Sequence, residues 1–131
     1  MSSEAIGERQ GIPKSFLENI LGDLRRHGLI VSKRGRGGGL MLARPASSIT
    51  IADAIRAETV NLAGVRGARP EQAVYGGAAE HLTDVWVAAR AAYRSVLEGV
   101  TLADVVEGKL PPNVAELVAD PASWQSYSPD F

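Results

Sequence analysis

A mainly α-helical chain with one small β-hairpin is the fold class this 131-residue sequence predicts, and three observations predict it. Phe16, Leu17, Ile20, Leu21 and Leu24 fall at i, i+1, i+4, i+5 and i+8, the one-sided apolar stripe of a helix packed on a core. Two short apolar runs, Leu29-Ile30-Val31 and Leu40-Met41-Leu42-Ala43, flank the glycine-rich tip Gly35-Arg36-Gly37-Gly38-Gly39, as in a hairpin. Leu82, Val85, Trp86, Ala89, Tyr93, Val96 and Leu97 then recur on one side of a second helix of about four turns.

Composition bounds what such a chain does. Its length suits one domain, or one small domain with an appended helix, and 45% apolar residues are enough for a core. No window reaches the roughly 18 apolar residues of a membrane span, and the amino terminus lacks a signal-peptide pattern, so a cytoplasmic protein without a membrane partner is expected. The absence of cysteine excludes disulfides, zinc-thiolate sites and cysteine-ligated iron–sulfur chemistry within this sequence, and two histidines are too few for a metal cluster. No cofactor is therefore expected. The net charge of −1 hides a split: residues 1–45 carry +4 and residues 46–131 carry −5. A basic surface confined to the helix and hairpin is the local field that phosphate binding needs.

The elements follow in order. Ser2, Ser3 and Glu4 open a short helix that runs to Gln10, and Gly11 stops it. After Ile12 the next helix starts either with Pro13 at its first position or with Ser15 as cap and Glu18 closing a capping box. It ends at His27-Gly28. A short helix, a glycine-containing turn and a longer helix with an exposed polar amino end form the helix-turn-helix pattern. Leu29 to Arg34 reads as a strand that leaves the core and turns basic, and Leu40 to Ala43 returns until Arg44-Pro45 breaks it. A nucleotide-binding glycine loop would follow a strand, open a helix and end in Gly-Lys-Ser/Thr; this tip does none of these after its first strand. The hairpin is thus wing-like, and the whole unit reads as a winged helix-turn-helix.

Beyond the wing, Thr50-Ile51-Ala52-Asp53 matches a capped helix start, with Ile51, Ala54 and Ile55 as its buried face beneath the wing. Residues 59–80 are rich in Gly, Ala and Pro without a period and read as an irregular linker. Thr83 is the expected cap of the following long helix. That helix has little of its own chain left to cover its stripe, so pairing with a second copy in a two-fold homodimer is expected over a private core. Thr101-Leu102-Ala103-Asp104 repeats the capping pattern for a short helix ending near Gly108. Pro111-Pro112 breaks the chain again, Val114, Leu117 and Val118 suggest one more brief helix, and the tail carries Trp124, Tyr127 and Phe131 without period. The tail's aromatics point to docking on its own dimer or a partner surface.

Two blocks of residues, ERQGIPKSFLENILGDLRRHGLIVSKRGRGGGLMLARP with ITIADAIRA, and more loosely LTDVWVAARAAYRSVLEGVTLADV, resemble the IscR/NsrR-type bacterial transcriptional regulators of the Rrf family. The resemblance covers most of residues 4–106 and implies a dimeric winged-helix repressor or activator whose long helix forms the two-fold interface. It places Ser15, Glu18 and Asn19 on the base-reading side of the recognition helix and matches Arg34 to a wing arginine held in the minor groove. In cluster-binding relatives the linker supplies cysteine ligands; here Ala68, Val74 and Glu80 stand at comparable spacing, which argues against a cluster. The family also begins with an additional amino-terminal helix that this sequence lacks. A truncated or wrongly assigned start is expected, with Phe16, Ile20 and Leu24 left partly exposed.

The residue types suit these roles. Glu18 can accept from a cytosine amino group, Ser15 can bond base or phosphate, and Asn19 can pair with adenine, although Glu18 as a capping acid and Asn19 as a solvated residue stay open. Arg34 and Arg36 on a glycine hairpin, with Gly37 and Gly38 permitting close approach, suit a narrow negative minor groove. Lys14, Arg25, Arg26 and Lys33 would hold phosphates. The expected organisation is a DNA-binding unit over residues 1–57, a linker over 58–80, a dimerisation helix and short helix over 81–108, and a tail over 109–131. The leading reading is a sequence-specific repressor that binds a palindromic site on double-stranded DNA and performs no chemistry. The alternative is a ligand-sensing or protein-interaction dimer of the same fold with impaired DNA binding. No Ser/His/Asp or Cys/His set supports an enzyme.

Overall fold

The computed structural model describes residues 1–36, 38–58, 69–72 and 74–126. Helix α1 (Ser3–Gln10) starts on Ser2, whose hydroxyl accepts from the Ala5 amide at 3.2 Å, and ends on Gly11 at φ 65°, a left-handed conformation that favours glycine. Helix α2 (Lys14–Arg26) begins one residue after the Pro13 start and two before the start that a Ser15 cap would give. Pro13 is the residue before the helix, and its carbonyl already accepts from the Leu17 amide at 2.9 Å. Helical bonding therefore begins too early for Ser15 to cap it, and the box between Ser15 and Glu18 does not form.

The stripe of α2 faces inward with one exception. Leu17 and Leu21 are buried and Ile20 and Leu24 half-buried, but Phe16 lies at the edge, 60% exposed. The expected exposure along this face is thus heaviest at Phe16. A groove of about 280 Å³ runs beside it, between α1 and α2, lined by Gly7, Ile12, Leu17 and Glu18 among others.

Strands β1 (Ile30–Lys33) and β2 (Gly39–Leu42) pair antiparallel, Ile30 opposite Leu42 and Lys33 opposite Gly39. The expected strands shift by one residue at each boundary. Leu29 is instead buried in the core, where its amide closes α2 onto Leu24 O at 3.0 Å, although its carbonyl still accepts from Ala43 N at 2.9 Å. The Met1 amino group donates to Leu40 O at 3.1 Å, and the Leu40 amide donates to Met1 O at 2.7 Å, so the first residue lies along β2.

Helix α3 (Ile51–Glu58) carries the expected cap, with Asp53 N donating to Thr50 Oγ1 at 3.1 Å and Thr50 N to Asp53 Oδ2 at 3.0 Å. Its buried face is rotated from the expected one. Ala52 and Ala57 are buried, whereas Ile51, Ala54 and Ile55 are half-buried, because α3 packs against α2 through its small residues. The central cluster joins Leu29, Ile49 and Ala57, with Leu24, Ala54 and Leu102 against it.

Helix α4 (Leu82–Leu97) starts after His81 without a side-chain cap; Thr83 sits inside the first turn and does not cap it. Helix α5 (Leu102–Glu107) has the expected capping box of Thr101 and Asp104 and ends on Gly108 at φ 70°. Pro112 opens rather than breaks a helix, α6 (Pro112–Ala119), since the first helical position needs no amide hydrogen. Val114 is buried there, whereas Leu117 and Val118 are exposed. Beyond α6 the Trp124 indole donates to Val118 O at 2.7 Å, and Tyr127 and Phe131 lie outside the described residues.

Candidate nucleic-acid interface

The side of α2 away from the core is polar and open, with Ser15 and Asn19 opposite Leu17 and Leu21 and with Lys14 and Glu18 on the edge that borders the groove beside α1. Lys14, Ser15, Glu18, Asn19 and Arg25 are all exposed. At 100° per residue, Lys14, Glu18 and Arg25 fall in one row and Ser15, Asn19 and Arg26 in the next, so phosphate-type and base-type side chains lie side by side on one surface. Core packing through Leu17 and Leu21 fixes which way that surface points. Arg26 is less available than Arg25, because it pairs with Asp23 one turn back. His27 Nδ1 lies 2.9 Å from Asp23 O and finishes the helix.

Arg25 is also where helix and wing meet. Its Nη1 donates to Ser32 Oγ on β1 at 3.1 Å, so the guanidinium is aimed across the gap between the two elements. Ser32 was not foreseen, since a contact between a helix end and a strand seven residues later leaves no periodic signal. Lys33, Arg34 and Arg36 are exposed at the end of β1 and in the tip. Gly35 takes φ 97°, and a Cβ on Gly38 would sit 2.8 Å from Gly35 O, so the tip is tighter than any other residue would permit. Gly37 lies outside the described residues. The geometry thus presents two basic side chains on a narrow turn beside an exposed helix face, an arrangement sized for a duplex groove and its flanking phosphates.

Further along, α4 has no buried residue. Val85, Trp86, Ala89 and Tyr93 are exposed, while Leu82, Val96 and Leu97 are half-buried. The described part of the linker lies on this helix: Glu71 pairs with Arg90, Trp86 Nε1 donates to the Tyr75 hydroxyl at 3.0 Å, and Pro70 is buried. Glu71's own backbone amide, then Arg90, holds its carboxyl below the ordinary value. At the other end of α4, Glu98 accepts from Arg94 Nε at 2.8 Å and pairs with Arg56 of α3; both hold its carboxyl below the ordinary value. Of the three residues that the resemblance sets at ligand positions, Val74 is 90% exposed, Glu80 lies 3.2 Å from His81, and Ala68 lies outside the described residues.

Known proteins share this architecture. A family model described as Rrf2, iron-dependent transcriptional regulator, matches residues 1–108. An HTH-type transcriptional regulator of Mycobacterium tuberculosis (strain ATCC 25618 / H37Rv) is 46% identical over 126 residues, covering 96% of this chain and 78% of that protein. The HTH-type transcriptional regulator IscR of Cereibacter sphaeroides is 36% identical over 115 residues, 86% of this chain and 74% of its own. Among solved structures, CymR, the global cysteine regulator of B. subtilis, superposes with a TM-score of 0.68 at 27% identity, over 82% of this chain and 78% of that one. T. potens IscR gives 0.64 at 31% identity, over 82% and 69%. These regulators are not enzymes, and with the family match spanning most of its length the chain belongs to the Rrf2 family of transcriptional regulators.

Proposed function

We propose that the chain is a homodimeric, sequence-specific DNA-binding repressor that acts by occupying a palindromic promoter site. The observation that carries this reading is the division of α2, whose apolar side holds the core while Ser15, Glu18 and Asn19 stand open beside an arginine-tipped hairpin. Ser15, Glu18 and Asn19 read base edges in the major groove, Arg34 and Arg36 enter the adjacent minor groove, and Lys14, Arg25 and Lys33 hold phosphates. The exposed stripe of α4, centred on Val85, Trp86, Ala89 and Tyr93, pairs with its copy and places two recognition helices a helical turn or a multiple apart. No described helix is long and apolar enough to cross a membrane, in keeping with a cytoplasmic regulator.

The family description names iron, and the donors present here do not fit a thiolate-held group. The sequence has no cysteine, and residues 59–68 contain no Cys, His, Asp or Glu. Among the described residues no three His, Cys, Asp or Glu side chains converge as metal ligands. His81 has Glu80 at 3.2 Å from Nε2 and Asp84 at 3.6 Å from Nδ1, and all three side chains are exposed. We therefore propose that this regulator works without a cysteine-ligated cluster.

An anisotropy titration of the full chain against DNA from upstream of its own gene, at two salt concentrations, tests the reading. Binding is expected to weaken steeply with salt, Arg34→Ala to abolish preference for the specific duplex, and Lys14→Ala to weaken all duplexes while lowering the salt slope by about one. Absence of binding even at low salt would sink the proposal in favour of a protein-interaction or ligand-sensing dimer.

A further inference from the structure

Two stretches of the chain spell one pattern, Ile49-Thr50-Ile51-Ala52-Asp53 and Val100-Thr101-Leu102-Ala103-Asp104, and the fold lays one against the other. Thr50 and Thr101 face each other in an antiparallel bridge. The Ile51 amide donates to Val100 O at 2.9 Å and the Leu102 amide to Ile49 O at 2.9 Å, so the two bonds are related by a local two-fold. Each threonine then caps its own helix: Asp104 N donates to Thr101 Oγ1 at 3.1 Å and Thr101 N to Asp104 Oδ2 at 3.0 Å, the same distances as in the Thr50–Asp53 pair. Helices α3 and α5 consequently start from one shared crossing, and turning either one breaks bonds of both.

The crossing is tied in three further places. Arg44, just past β2, donates to Asp53 Oδ2 at 3.3 Å and links the wing's exit to the α3 cap. Glu98, ending α4, takes Arg94 of its own helix and Arg56 of α3 together. Between Glu98 and the crossing, a Cβ on Gly99 would stand 2.8 Å from Ser95 O, so the chain leaves α4 in a turn without room for a side chain. Ile49 and Val100, one on each strand of the crossing, are 1% and 5% exposed. A purely covering role for residues 98–104 would need the buried Val100 and the half-buried Leu102; it would not need a carboxylate shared by two helices.

We infer that residues 49–53 and 98–104 form a rigid joint that fixes the direction of α4 against the winged unit, with Glu98 as its positioning residue. Resting on the dimeric reading above, the joint also sets the distance between the two recognition helices when α4 pairs with a second copy. The joint itself is tested within one chain. Because the sequence has no cysteine, spin labels go cleanly onto Gln10→Cys in α1 and Ala91→Cys in α4, with labelled chains diluted into excess unlabelled protein. The parent is expected to give one narrow distance distribution. Glu98→Gln and Arg56→Met are each expected to broaden or shift it while circular dichroism stays folded, and Arg56→Lys to keep it narrow. Arg56 is exposed, so its variants read the joint even if Glu98→Gln fails to fold. Distributions for folded Glu98→Gln and Arg56→Met that match the parent would overturn the joint. The consequence for DNA is read separately: Arg56→Met should lose about tenfold in affinity for a full palindrome and less than about twofold for a half-site. Equal losses on both overturn the spacing role, and a parent without full-site preference overturns the dimeric reading while the label distances still decide the joint.

Discussion

Thr101 shows what a single side chain contributes here. Its hydroxyl accepts from the Asp104 amide while its own amide donates to the Asp104 carboxylate, so Thr101→Ala removes the first bond and leaves the Asp104 amide unmatched. A loss of about 1 kcal/mol is expected, read as a fall of about 4 °C in Tm. Glu98 makes a pH-dependent contribution whose sign is fixed by its partners. Arg94 and Arg56 lower its folded pKa, so the stabilisation is fully present above the ordinary carboxylate value and is lost as pH falls through the lowered one. The difference in Tm between parent and Glu98→Gln should therefore be present at about pH 6 and shrink as pH falls below the ordinary carboxylate value. The two Thr–Asp caps were legible in the sequence because they close within three residues. Arg25 with Ser32 and Arg56 with Glu98 were not, since pairs seven and 42 residues apart across turns leave no mark on local pattern.

Element by element, capping signals and periodicity together located the six described α-helices and the hairpin, and failed where boundaries depend on competition between backbone groups. Pro13's carbonyl starts α2 before Ser15 can cap it, and α4 starts at Leu82, which puts Thr83 inside the first turn rather than at the cap position. The apolar stripe likewise revealed that α3 packs without revealing which side: Ala52 and Ala57 are buried, Ala57 in the cluster that Leu24 of α2 packs against, and the larger Ile51 and Ile55 are left half-buried. For α4 the stripe predicts a partner. Tyr93→Glu puts a charge at the centre of the proposed pairing face, where burial without a counter-ion is costly. Sedimentation is expected to show the parent as a dimer and this variant as a folded monomer; a parent that sediments as a monomer would remove the pairing role from α4.

At the scale of the molecule, function rests on keeping basic and acidic halves apart. Residues 1–45 carry a net charge of +4 and residues 46–131 a net charge of −5, so the positive field proposed to attract a duplex is centred on the segment that holds α2 and the wing. The core of Leu29, Ile49 and Ala57 and the Thr50–Thr101 crossing hold that surface to the rest of the fold. Selection of a DNA sequence by α2 and the wing together is read by sequencing the DNA recovered with the native protein from its cells, beside DNA recovered with a Glu18→Ala, Arg34→Ala variant. A shared palindrome with half-sites a helical turn or a multiple apart is expected in the first sample and its loss in the second; unselected DNA in both, or the same palindrome in both, would overturn the proposed recognition.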